Sequence, residues 1–133
     1  MDDRKLLATI RVFEHEQEEG SRSMEVGSKE FEVELAPKTD AQHAIQAGAP
    51  RAAKNLLTVG ETTFAHELGH VVALIMHDPS HDPMYQFMAQ VANDARPLVP
   101  AEKKAWQLAH TINPKLDTRV EDAALRVTEQ GGL

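Results

Sequence analysis

The chain has no cysteine, so it forms no disulfide, offers no thiolate to a metal and carries no thiol nucleophile. It has no apolar run near the roughly 20 residues that span a bilayer. Cations are scarce as well. Fourteen Lys and Arg stand against 21 Asp and Glu, for a net charge of −7 and a pI near 5.4. That balance argues against general nucleic-acid binding, which needs a basic surface. The opening segment, MDDRKLL, starts acidic and lacks the apolar stretch of a secretory signal, so a cytoplasmic protein without membrane association is expected. No internal repeat and no long low-complexity segment is present. The 133 residues, 41% of them hydrophobic, suit one domain over 1–133 that buries a core without staples.

Histidine, by contrast, is concentrated. Of 7 His, four fall between positions 66 and 81. The surrounding chain reads as follows. Leu6, Ile10, Phe13 and Gln17 step at helical spacing, with Leu7 beside them, so residues 3–19 read as an amphipathic helix stopped by Gly20. In 23–35 the period changes to two. Phe31, Val33 and Leu35 alternate with Glu30, Glu32 and Glu34, which predicts a half-exposed or edge strand. Met24 and Val26 are its expected hairpin partner across Gly27-Ser28. Asp40 is a candidate N-cap for a short helix at 41–47, the segment KNLLTV fits helix or strand, and Gly60 reads as a break. A helix over 61–76 follows, ended by Asp78-Pro79. Asp82-Pro83 opens a helix to about Asn93, Pro100-Ala101-Glu102 another to about Ile112, and Asp117 or Thr118 caps a last one to about Thr128.

The helix over 61–76 contains His66-Glu67-Leu68-Gly69-His70, the pattern H-E-x-x-H. Two His at i and i+4 share one helix face, so both imidazoles reach one Zn²⁺. The Glu between them lies to the side of the metal, where it holds a zinc-bound water and takes its proton as that water attacks a carbonyl. With His66 at 0° on a helical wheel, His70 falls at about 40° and Glu67 at about 100°. Phe64, Leu68, Val71, Val72 and Ile75 fall opposite, at about 140–240°. The helix is thus expected to bury one face and present the ligands to a cleft.

The segment from Phe64 to Val72 resembles the active-site helix of the zincin metallopeptidases, and TFAHELGH is similar to ImmA/IrrE-like peptidases. The resemblance covers about ten residues strongly. Elsewhere it extends only to an outline, with a small sheet before the helix and helices after it. It implies a third protein ligand and an open metal position. HDPMYQFM, beginning at His81, is similar to the third-ligand segment of SprT-like and WLM-type peptidases, and His81 is taken as that ligand. Glu121 is the alternative, because gluzincins, ImmA-like proteins included, use a downstream helical Glu followed by small residues. His77 lies almost two turns past His70, about 10 Å along an unbroken helix. The metzincin pattern fails, since Ala73 and Met76 stand where it needs glycine and histidine. His110 reads as packed, solvated or an outer partner of the metal site.

Tyr85 is a candidate donor to a transition-state oxyanion, or else a packed aromatic. Asp78 and Asp82 are candidates to orient a ligand His, or else helix caps. The sequence thus predicts an α+β fold, mostly helical, with a small antiparallel sheet packed on the H-E-x-x-H helix. The expected function is a zinc metallopeptidase with His66, His70 and His81 as ligands and Glu67 as general base, acting on a peptide or protein substrate. A zinc-binding module without turnover, in an assembly or phage particle for instance, and an ImmA-like regulatory protease using Glu121 are the alternatives.

Overall fold

The structure, a computed structural model, describes residues 7–51 and 54–132. Within them lie three strands, β1 (Thr9–Glu14), β2 (Arg22–Gly27) and β3 (Glu30–Leu35), and five α-helices. The helices are α1 (Pro37–Gln46), α2 (Leu56–Ile75), α3 (Pro83–Ala92), α4 (Val99–Ile112) and α5 (Thr118–Glu129), with short 3₁₀ turns at Pro79–His81 and Arg96–Leu98. The α+β class follows directly. No described helix is long and apolar enough to cross a membrane.

The helix expected over 3–19 is not there. Residues 3–6 lie outside the described residues, and Thr9–Glu14 is a strand. Thr9, Ile10, Val12 and Phe13 are β-branched or aromatic, and the strand pairing available beside β3 outweighs a helical spacing that rested on few residues. The sheet is mixed rather than wholly antiparallel, with order β1-β3-β2. β1 runs parallel to β3, from Thr9 opposite Glu30 to Glu14 opposite Leu35. β2 runs antiparallel to β3 as the expected hairpin, with a bulge between Glu25 and Gly27.

β3 is therefore the central strand, not an edge. Its buried Phe31 and Val33 face α2, packing with Val71 and the half-buried Phe64, Leu74 and Ile75. Its glutamates stay on the outer face, where Glu32 meets Arg11 of β1 at 3.3 Å and Glu34 meets Arg22 of β2 at 2.7 Å. A cation from each flanking strand makes an acidic central strand tolerable, although such exposed pairs add little stability.

α2 is longer than the sequence suggested. Asn55 caps it by accepting from the Leu57 and Thr58 N–H groups. Gly60 lies inside the helix instead of breaking it. α1 starts at Pro37, and Asp40 is not its cap. Glu16, reaching from the β1–β2 loop, accepts from the Lys38 and Thr39 N–H groups, while Asp40 accepts from the Ser21 N–H and hydroxyl.

α2 runs through the middle of the molecule and is buried on two sides, not on one face. The sheet covers the side of Val71. On the other side Ala65 joins Trp106, Ala109, Leu116, Val120 and Ala123 in a second core shared with α4 and α5. The cleft between β2 and α4 receives the face left between those two cores.

Candidate metal centre

Both H-E-x-x-H histidines stand on that remaining face, half-buried, one helical turn apart. A third donor comes from α4. Glu102 Oε2 lies 2.8 Å from His66 Nε2, and Glu102 Oε1 lies 3.3 Å from His70 Nε2. Ligand atoms of His66, His70 and Glu102 all fall within 4.8 Å of one another. Burial works against the Glu102 charge, but hydrogen bonds from His66 and His70 outweigh it and hold the carboxyl well below its usual range. Glu102 stays anionic and both imidazoles aim Nε2 at it.

Helix spacing makes this possible. A Cβ built on Gly69 would stand 2.1 Å from the Ala105 carbonyl oxygen. Only glycine lets α4 come that close, and Glu102 sits one turn before Ala105 on α4. The glycine of HELGH thus sets the reach of a short carboxylate arm from the neighbouring helix. Trp106, almost fully buried, stacks on His66 with ring centroids 4.2 Å apart and planes at 14°. That contact fixes the imidazole plane.

Glu67 is buried beside the cluster, and its Oε2 has no hydrogen-bond partner among the described residues. Burial pushes its carboxyl up to about 8, against a smaller opposing pull from His70. Glu67, His70, Glu102, Ser23, His81 and Tyr85 line one cleft, between the free edge of β2 and the start of α3. A roomier cavity of about 710 Å³, between residues 48–51 and α5, lies away from these groups and carries Arg119 and Arg126 instead.

The remaining sequence candidates divide. The structure brings His81 to the cleft but behind His70, with its Nε2 2.8 Å from His70 Nδ1, the ring nitrogen turned away from Glu102. Burial, reinforced by His70, pushes the His81 imidazole down to about 4, so it is neutral and its Nε2 can accept a hydrogen bond there. Glu121 is elsewhere, bonded to His110 Nε2 across α4 and α5. His77 is exposed in a left-handed turn at φ 52° beyond the end of α2. Asp82 caps α3 by accepting from the Met84 N–H, and Asp78 caps the 3₁₀ turn through the Ser80 N–H.

Glu102 was missed because a Glu in the first turn of a helix reads as a partner of the helix dipole. The signal was present nonetheless. Glu102 is a downstream helical Glu followed on the same face by the small residues Ala105 and Ala109, 36 residues after His66. The chain matches no protein-family model, no curated protein and no solved structure.

The donor set suits zinc. Two neutral imidazoles and one carboxylate are borderline and hard donors of the kind Zn²⁺ takes, and three protein ligands leave a position open. A carboxylate hydrogen-bonded to two imidazole Nε2 atoms is also an arrangement in which one cation can replace the bridging protons.

Proposed function

We propose that this protein is a zinc-dependent peptidase in which His66, His70 and Glu102 hold the metal and Glu67 is the general base. One observation carries the reading. A buried carboxylate oxygen without a partner among the described residues, Glu67 Oε2, stands beside three converging candidate metal donors. A purely structural zinc site closes its coordination with four ligands and has no use for such a group. The resemblance of residues 64–72 to the zincin active-site helix points the same way.

Zinc, when bound, acidifies a water and polarises a carbonyl. The chain's own groups do the rest. A bound cation beside it would favour the ionised carboxylate, so Glu67 would take the proton lost by the attacking water and return it to the leaving amine. Glu102 balances the metal's charge and holds two imidazoles in one orientation. Trp106 prevents the His66 ring from turning. The free edge of β2, through Arg22 and Ser23, is positioned to pair with an extended peptide, so main-chain hydrogen bonds orient the scissile bond. Tyr85 and Gln86 face that strand across the cleft and would meet the substrate's side chains.

The test measures zinc per chain and peptide hydrolysis together. Wild type should retain about one zinc after dialysis, Glu102→Ala should lose it, and Glu121→Ala should keep it. Glu67→Gln should keep zinc and lose turnover by a factor on the order of 10² or more. A wild type that takes up no zinc would overturn the reading. Zinc uptake with no hydrolysis of any peptide in a diverse library would leave a binding module in its place.

A further inference from the structure

Behind His70 runs a chain of polar contacts that the proposed reaction does not use. His70 Nδ1 lies 2.8 Å from His81 Nε2. His81 Nδ1 lies 3.0 Å from Ser80 Oγ, and Ser80 Oγ lies 2.6 Å from Asp78 Oδ1. Asp78 Oδ2 then lies 3.5 Å from Lys104 Nζ. We propose that His81, Ser80 and Asp78 form a relay that fixes the tautomer and orientation of His70, with His81 a positioning residue and not a metal ligand. This rests on the metal site proposed above.

The protons allow one direction only. His70 turns Nε2 toward Glu102, so Nε2 is the atom offered to a metal, and with a metal in place of the bridging proton it would carry none. The single proton of the neutral ring then sits on Nδ1 and is donated to His81 Nε2. That nitrogen must be a lone pair, so His81 carries its own proton on Nδ1 and donates it to Ser80 Oγ. The Ser80 hydroxyl has its proton left to donate, and Asp78 accepts it. Each group donates once and accepts once until the carboxylate, which only accepts and sits beside a cation. Reversing any link would leave two donors or two lone pairs face to face.

Metal-binding histidines commonly donate their second N–H to a carboxylate or a carbonyl directly. Here an imidazole and a hydroxyl are interposed, and the carboxylate stands at the far end. The architecture explains why. The 3₁₀ turn Pro79–His81 places Ser80 and His81 against the end of α2, and Asp78 caps that turn. Lys104, which reaches Asp78, is two residues from Glu102 on the same helix, so α4 supplies a group at each end of the His70 system. Lys104 and Asp78 hold the turn in place, and the turn holds His81.

The experiment titrates Co²⁺ and Zn²⁺ into the full chain against a competing chelator and records the visible Co²⁺ spectrum. The variants are His81→Ala, His81→Gln, Ser80→Ala and, as a ligand control, Glu102→Ala. The relay predicts that His81→Ala weakens metal binding by roughly 10–100-fold while one ion still binds at saturation. The Co²⁺ band positions should match wild type. His81→Gln, whose amide oxygen can accept from His70 Nδ1, should recover most of the loss. Ser80→Ala, which leaves His81 in place, should still cost several-fold. A Co²⁺ spectrum that changes coordination type in His81→Ala, with no rescue by His81→Gln, would make His81 a ligand and overturn the relay. So would unchanged affinity in both His81→Ala and Ser80→Ala. A wild type that binds neither ion overturns the metal site itself, and is distinguished from failure of the relay because no variant is needed to see it.

Discussion

Gly69 and the Ala105 carbonyl face each other so closely that a single added methyl would stand 2.1 Å from that oxygen. The clash is with backbone, which cannot rotate away, so α2 and α4 must separate. Gly69→Ala should cost about 1–3 kcal/mol from overpacking, less the smaller gain from replacing a helical glycine. It should also weaken zinc binding, because Glu102 retreats with α4 although no ligand is altered. Gly60, in the same helix, is the internal control. Its added Cβ would meet only Pro37 Cβ, at an ordinary 3.8 Å. Gly60→Ala should therefore stabilise by roughly 0.5–1 kcal/mol and leave metal binding unchanged. Urea unfolding of the two variants, with zinc titrations, reads both effects. Equal and favourable shifts would mean that the two helices are further apart than described.

The start of α1 depends on a side chain distant in sequence. Glu16 accepts from the Lys38 and Thr39 N–H groups, each at 3.0 Å, and from the Thr39 hydroxyl. Ala36, at the cap position, contributes no side-chain bond. Glu16→Ala should cost about 1 kcal/mol, and Glu16→Gln less, because the amide oxygen still accepts but no longer complements the helix dipole. A thermal melt of both variants at low salt checks the order. A neutral Glu16→Ala would show that Pro37 alone suffices to start the helix.

These contacts also show where sequence reasoning succeeds. Asn55, Asp82-Pro83 and Asp117 act through bonds to the next two or three residues, so the helix starts at Asp82 and Asp117 were legible from local chemistry. The hairpin from Met24 through Leu35 was legible for the same reason, and so was the placing of His66 and His70 on one helix face. Ile10 and Phe13 misled because their spacing fits a helix, while their partner strand lies about twenty residues downstream. β3 looked like an edge because Arg11 and Arg22, which neutralise its glutamates, belong to other strands. Glu16 reads as a solvated charge until α1 is placed against it. Glu102 reads as a helix-dipole residue until Gly69 brings α4 against α2. What was missed depends on pairs of residues joined only by the tertiary fold.

Trp106 is the only tryptophan, and its ring lies 4.2 Å from that of His66. Any cation that binds His66 Nε2 draws charge from a ring in contact with the indole. Zinc should therefore change the intrinsic emission in a saturable, one-to-one titration, and Co²⁺ should quench it strongly at such short range. His66→Ala should abolish both responses, whereas Glu121→Ala should leave them intact. Trp106→Phe should remain folded but bind zinc more weakly, because the His66 ring loses its stacking surface. An emission unchanged by saturating zinc, with binding shown independently, would mean that the metal does not use His66.

Glu67 gives the metal-free protein a dependence on pH whose sign is fixed. Its carboxyl is raised from 4.5 to about 8 by burial, so the native state keeps a proton that the unfolded chain releases. The stabilisation from this group is complete below about pH 4.5 and is lost as pH rises through about 8. Glu67→Gln stays neutral at every pH and keeps the same shape. With chelator present, the variant and wild type should have similar urea midpoints near pH 5. At pH 8.5 the variant should be the more stable, by an amount on the order of a few kcal/mol. Other titrating groups are common to both proteins and cancel in the difference. If the two midpoints move in parallel across this range, Glu67 is already ionised in the native cleft, and the orphaned oxygen has found a partner such as solvent.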